Sequence, residues 1–221
     1  VNKIIEEKIQ LVKKEKMENK SVISEKQLRK LFSIEATEYY NKSNKNFAVD
    51  DKNKKYLNLL CKYFSKSTAF EKENGGDLNK GLFVTGETGS GKTSSFKIIQ
   101  NISLKYKCKQ LWFPIRETDN VVLQFNLEKH KDDIVVKYSK GLMLFDDLGA
   151  ENHASNVYVY GKEDIFIRIL EARYRDFINK GTKTHITTNL TLNDIKTRYG
   201  ARVEDRFIEM FNVLKLNGKR R

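Results

Sequence analysis

The chain is 221 residues long, with 32% charged and 39% hydrophobic side chains and a formal net charge of +13. That length accommodates one sizeable α/β domain plus a smaller appendage rather than two full domains, and no apolar run approaches the length of a membrane span. Cys61 and Cys108 lack C-x-x-C spacing, which argues against a disulfide framework, a zinc site or a redox pair and leaves two core thiols.

Residues 2–17 carry Ile4, Ile5, Ile9 and Val12 among Glu and Lys, which predicts a helix with one narrow apolar face. The segment has no apolar stretch of the kind a secretory signal requires, so the expected location is cytoplasmic. A second helix is predicted from Ser24, where Ser-Glu-Lys-Gln forms a capping-box pattern, to about Tyr40. Residues 1–45 are therefore expected to form a helical appendage, which either folds back on the main domain or docks on a partner. After the polar linker 41–46, Asp50 is expected to cap a third helix from Asp51 to about Ser65.

A turn at Asn74-Gly75-Gly76-Asp77 opens a repeating strand-and-helix pattern, so 46–221 is expected to be one α/β domain built on a parallel sheet. The predicted strands are Gly81 to Thr85, Gln110 to Ile115, Leu142 to Phe145, Thr184 to Thr188 and Val213 to Leu216. The predicted helices run from Lys92 to about Lys105, from Asp119 to about Leu127, and from about Lys162 to Asn179 before the helix-stop residue Gly181.

Two stretches carry chemistry. Residues 86–93 read Gly-Glu-Thr-Gly-Ser-Gly-Lys-Thr, a complete G-x-x-x-x-G-K-[ST] phosphate loop directly after the first strand. Gly86, Gly89 and Gly91 let the backbone curl so that the N–H groups of Gly86, Glu87, Thr88, Gly89, Ser90, Gly91, Lys92, Thr93 and Ser94 can surround phosphate oxygens. Lys92 would reach the β- and γ-phosphates, Thr93 would ligate Mg²⁺, and the helix that follows points its positive dipole end at the anion. The run Leu142-Met143-Leu144-Phe145 ends in Asp146 and Asp147, the Walker B arrangement of an apolar strand terminated by two acids. Asp146 would hold Mg²⁺, and Asp147 would polarise the attacking water as general base. Asn189, after the fourth strand, is placed to orient that water or to touch the γ-phosphate. ATP and Mg²⁺ are the expected cofactors.

The segments Asp146 to Glu151, Ile186 to Leu190 and Tyr199 to Phe207 together resemble the DnaC/DnaI-type bacterial helicase loaders and the related IstB-type transposition helper ATPases, from about Phe47 to the end. The resemblance implies the AAA+ class: a five-stranded parallel sheet flanked by helices, with little or no C-terminal lid. It implies an ATPase whose turnover depends on assembly or on DNA. Arg206 would enter the neighbouring subunit's site as a finger, making self-association part of the mechanism, with Arg202 as its companion. Arg173 and Arg175 match a basic region of such loaders and are expected as interface or phosphate contacts, and Asp119 to His130 matches an insertion lining a single-strand channel. Phe125, Lys129, His130 and Lys131 would there meet DNA.

The positive charge agrees with a nucleic-acid partner, although it is spread over separate clusters. The expected function is that of a replicative-helicase loader that binds single-stranded DNA. The alternatives are a transposition helper and a nucleotide-gated binding module with negligible turnover.

Overall fold

The computed structural model describes residues 23–151 and 164–218. Helices α1 (Glu25–Asn41), α2 (Lys54–Phe64) and the short α3 (Ala69–Lys72) precede strand β1 (Gly81–Thr85). Next come α4 (Lys92–Lys105), β2 (Ile115–Glu117), α5 (Thr118–Leu127), α6 (Lys131–Ser139) and β3 (Met143–Leu148). The described chain closes with α7 (Ile165–Lys180), β4 (Thr184–Thr188), α8 (Leu192–Tyr199), α9 (Ala201–Met210) and β5 (Phe211–Lys215). The helix expected over residues 2–17, the expected start of α7 at Lys162 and the basic tail from Lys219 lie outside the described residues.

The five strands form one sheet in the order β2-β3-β4-β1-β5, with every pairing parallel. This is the expected five-stranded parallel α/β architecture. Inserting β4 between β1 and β3 leaves a crevice at the carboxyl ends of these strands, where such sheets bind ligands. Alternation along each strand fills two apolar layers. Leu82, Val84 and Leu144 face a core shared with α1, α2 and α4. Phe83, Phe145 and Ile186 face a second core built by α5, α6, α7, α8 and α9.

Helix α1 begins as its sequence predicts: the Ser24 side chain accepts from the Gln27 backbone N–H while the Gln27 side chain reaches back. It buries Leu28, Phe32 and Ala36 in the same core as α4. Glu35 and Glu38 bind Lys105 at 2.7 and 2.9 Å, and Tyr106 donates to Glu35 at 2.9 Å. The described helix therefore packs in cis.

Several boundaries differ from expectation. Asp50 accepts from the N–H groups of Lys52 and Asn53, which ties up a preceding turn, so α2 starts only at Lys54. The run Gln110 to Ile115 is not a strand: residues Lys109–Leu111 form a 3₁₀ turn, and pairing begins at Ile115. Pro114 has no N–H to give and serves only as an acceptor for Leu144 at 2.9 Å, while Leu111 and Phe113 supply the apolar character as core residues. Helix α6 went unforeseen because 131–139 reads as a charge cluster, yet Ile134, Val135 and Tyr138 form its buried face. Cys61 is buried, and burial pushes its thiol up to about 12; Cys108 is half-buried.

Candidate functional site

The phosphate loop leaves β1 through Gly86, whose φ of 156° and tight surroundings leave no room for a side chain: a Cβ there would lie 2.2 Å from the Leu216 carbonyl oxygen. It enters α4 through Gly91 at φ 104°, in the left-handed region where a residue with a Cβ is strained. The first N–H groups of a 14-residue helix thus open at the carboxyl edge of the sheet.

Three short side chains converge there from three elements. Thr93 Oγ1 donates to Asp146 Oδ1 at 2.8 Å, and Thr187 Oγ1 donates to the same oxygen at 2.5 Å. Thr187 in turn accepts the Asp147 backbone N–H at 2.9 Å. The phosphate loop and the paired acids are therefore joined by direct hydrogen bonds. Lys92 is buried, and its ammonium donates to the Gly86 and Glu87 carbonyls at 2.6 and 3.0 Å and to Asn189 Oδ1 at 2.7 Å. Burial lowers its pKa, opposed first by the Asp147 and then by the Asp146 carboxylate.

The two acids differ in exposure. Asp146 is buried, while Asp147 is exposed. The cause is a bulge: Phe145 pairs with Ile186 and Leu148 with Thr188, so β3 carries one more residue than β4 between these points. Asp147 takes the excess with φ 62°, a costly conformation for a non-glycine residue that turns its carboxylate out of the ladder. Thr118 Oγ1 holds the Asp147 carbonyl at 3.0 Å, and Thr188 Oγ1 holds that of Leu148 at 2.5 Å. Desolvation and the neighbouring Asp146 raise the Asp147 pKa, while Lys92 pulls it back.

A cavity of about 310 Å³ opens here, lined by Thr88, Gly89, Gly91, Lys92, Thr93, Ser94, Asp147 and Asn189 with the end of α1. A second, of about 230 Å³, adjoins it across Gly91 and Tyr40 and is mostly apolar, lined among others by Phe47, Leu57, Ile98 and Leu216. Ser90 also lines it, and its buried hydroxyl makes no hydrogen bond among the described residues. Backbone donors, a buried ammonium and two hard oxygens suit a triphosphate with Mg²⁺, a cation that takes few protein ligands. Thr93 and Asp146 could hold that ion, and Lys92 the phosphates.

Comparison with solved structures gives DnaI at a TM-score of 0.54 and 21% identity, covering 79% of this chain and 87% of that one. The DnaC helicase loader matches at 0.50 and 21%, covering 77% and 93%. The chain shares the fold of DnaI and of the DnaC helicase loader. AMPPCP-bound DnaA from Aquifex aeolicus matches at 0.51 and 17%, over 77% of this chain and 48% of that one. No protein-family model and no curated protein sequence matches the chain.

In this DnaC-like fold the remaining expected residues fall elsewhere. Arg206 and Arg202 lie on α9, outside both cavities. Both pair with Glu171 of α7, at 2.8 and 3.5 Å, and Arg206 also lies over the Tyr174 ring. Arg206 is largely covered, whereas the Arg202 side chain is 76% exposed. Arg173 is corrected: it is buried, donates to Thr184 and to the carbonyls of Tyr138, Gly141 and Lys183, and holds the second core together. It is not open to phosphate or a partner; Arg175 is exposed. Phe125 is corrected too, since its ring is 1% exposed and cannot stack on a base. Lys131 covers that ring and donates to the Phe125 and Asn126 carbonyls, while Lys129 and His130 are exposed.

Thr187 escaped the sequence reading, although it stands beside Asn189; the signal was a strand ending in two hydroxyls whose alternate residues face opposite ways. A second missed group follows the acids. Glu151 is buried, accepts from Gly149 N–H and Tyr199 Oη and pairs with Arg198 at 3.1 Å, tying the loop after β3 to α8.

Proposed function

We propose that the chain binds ATP·Mg²⁺ and hydrolyses it as an AAA+ ATPase of DNA replication, acting as a loader of a replicative helicase on single-stranded DNA. The observation that carries the nucleotide reading is the hydrogen-bonded set Thr93–Asp146–Thr187 beside Lys92–Asn189, which joins the phosphate loop, β3 and β4 at one rim. The loader reading is supported by the likeness in fold to DnaI and to the DnaC helicase loader. Residues 46–221 would be the ATPase domain, and 1–45 an appendage whose described helix lies against it.

Mg²⁺, when bound, would neutralise phosphate charge. Thr93 and Asp146 are the residues to hold it. The Lys92 ammonium exchanges its carbonyl and Asn189 partners for phosphate oxygens, which releases Asn189 to orient a water. Asp147, turned outward by the bulge and with its pKa raised, accepts that water's proton. The exposed edge of this half-site needs a positive group at the γ-phosphoryl, and Arg206 of a second copy would supply it once freed from Glu171.

Phosphate release across protein concentrations, with and without single-stranded DNA, tests the reading. Turnover per subunit should rise with concentration and with DNA, and Asp147→Asn should lower it by on the order of a hundredfold while sparing ATP affinity. Unchanged turnover on dilution, or indifference to adenine nucleotides, would contradict it. ATP-sensitive co-purification with the replicative helicase of the same cell tests the loader role.

A further inference from the structure

Tyr40, Ser43 and Lys45, from the end of α1 and the turn after it, line the phosphate-loop cavity opposite Lys92 and Asp147. Helix α1 spans α4 from end to end. Glu35 and Glu38 grip Lys105 at its C-terminal end, and the Tyr40 hydroxyl reaches Gly91 at its N-terminal cap, 3.2 Å from where a Cβ there would sit. Stacking on Phe47, with ring centroids 5.9 Å apart, fixes the Tyr40 ring.

The turn after α1 is equally defined. The Tyr40 carbonyl accepts from the N–H groups of Ser43 and Lys45 at 3.0 and 3.1 Å, and Asn44 adopts φ 54°. That sharp reversal carries Lys45 along the cavity rim and sends residues 46–48 past the second, apolar cavity. Tyr40 and Gly91 are the residues that line both cavities. A ligand with an apolar ring at one end and a phosphate chain at the other must pass between them if it fills both.

We propose that the end of α1 is a clasp of the nucleotide site, in which Tyr40 packs against the ribose and α-phosphate while Lys45 donates to the phosphate chain. The clasp rests on the nucleotide reading above and adds two positioning residues to it. Its consequence is regulatory: nucleotide binding fastens the end of α1 to the phosphate loop, so occupancy is felt along α1.

The test compares ATP affinity by titration calorimetry for wild type, Lys45→Met, Lys45→Arg, Tyr40→Ala and Lys92→Ala, with melting temperatures taken without nucleotide. Lys45→Met should lose about tenfold in affinity, the scale of one charge-assisted hydrogen bond, with its melting temperature unchanged. Lys45→Arg should restore binding, Tyr40→Ala should weaken it, and ATP should slow amide exchange over residues 42–46 in the wild type. Wild-type affinity in Lys45→Met, failure of Lys45→Arg to rescue, or unchanged exchange at 42–46 would overturn the clasp. The Lys92→Ala arm separates the two readings: loss of ATP binding there with an unaffected Lys45→Met sinks only the clasp, whereas retained binding in Lys92→Ala sinks the nucleotide site itself.

Discussion

The phosphate rim and the arginine face of α9 are built on opposite plans. At the rim, the Thr93 and Thr187 hydroxyls, the Asp146 carboxylate and a buried Lys92 hold one another through short bonds contributed by α4, β3 and β4. On α9, the exposed Arg202 and the largely covered Arg206 share one carboxylate, Glu171. The first arrangement is preorganised within one subunit, so ligand binding exchanges partners without rebuilding the site. In the second, Arg202 is held by an exposed ion pair that contributes at most about 1 kcal/mol, whereas Arg206, with its side chain only 14% exposed, must leave the Tyr174 ring as well as Glu171 to change partner. A half-site that is rigid on one side and exchangeable on the other fits a molecule whose chemistry is completed by its neighbour.

The comparison can be broken at either region. The largest effect is expected for Arg206→Ala, which should lower turnover by about a thousandfold in the assembled state, the low end for an arginine finger, with ATP affinity preserved. Steady-state rates at saturating protein check this, and near-normal turnover would return the arginine to a structural pair with Glu171. Asp147→Asn should cost on the order of a hundredfold or more in turnover with no loss of ATP binding, because it removes the base and keeps the shape.

Arg173 sharpens the contrast among arginines. It is buried with four acceptors, and Arg173→Met would leave those oxygens without their donor. A loss of about 3 kcal/mol in unfolding free energy is expected, read by urea denaturation, with no selective effect on turnover of the folded fraction. His185, buried among Tyr63, Phe64, Phe96 and Phe113, accepts the Leu82 N–H, and desolvation lowers its pKa to about 3. Below about pH 6.5 the unfolded chain takes up a proton that the folded state refuses. Stability should therefore fall with decreasing pH at up to about 1.4 kcal/mol per unit between there and pH 3, and His185→Gln should flatten that slope. The smallest change is expected for Glu171→Gln. Releasing Arg202 fully and Arg206 from its carboxylate should raise assembly-dependent turnover no more than about fivefold, because Arg206 still rests on the Tyr174 ring.

Much of the rim was legible in the sequence because its signals are local. The glycine spacing from Gly86 to Gly91 requires a particular backbone, and the strand before it and the helix after it run over the residues their patterns predict. Gly181 stops α7 in the left-handed conformation, as a C-terminal glycine should. What stayed hidden depends on distant partners. Nothing adjacent to Arg173 announces that Tyr138, Gly141 and Lys183 will offer it carbonyls, so a helical arginine reads as surface. The outward turn of Asp147 comes from a register difference against β4, and Phe125 is buried by α6, whose own apolar face is diluted by charge. The approach of Tyr40 to Gly91 likewise depends on how α1 crosses α4, a tertiary choice that no local pattern encodes.

The contrast between a fixed half-site and an exchangeable arginine is tested most directly by mixing two inactive variants. Asp147→Asn keeps the arginine, and Arg206→Ala keeps the acid. Combined in equal amounts with ATP, Mg²⁺ and single-stranded DNA, they should recover turnover well above the sum of the two measured apart, because some interfaces then pair an intact acid with an intact arginine. Turnover that stays at that sum, with mixed assembly verified by size, would contradict a site shared between copies.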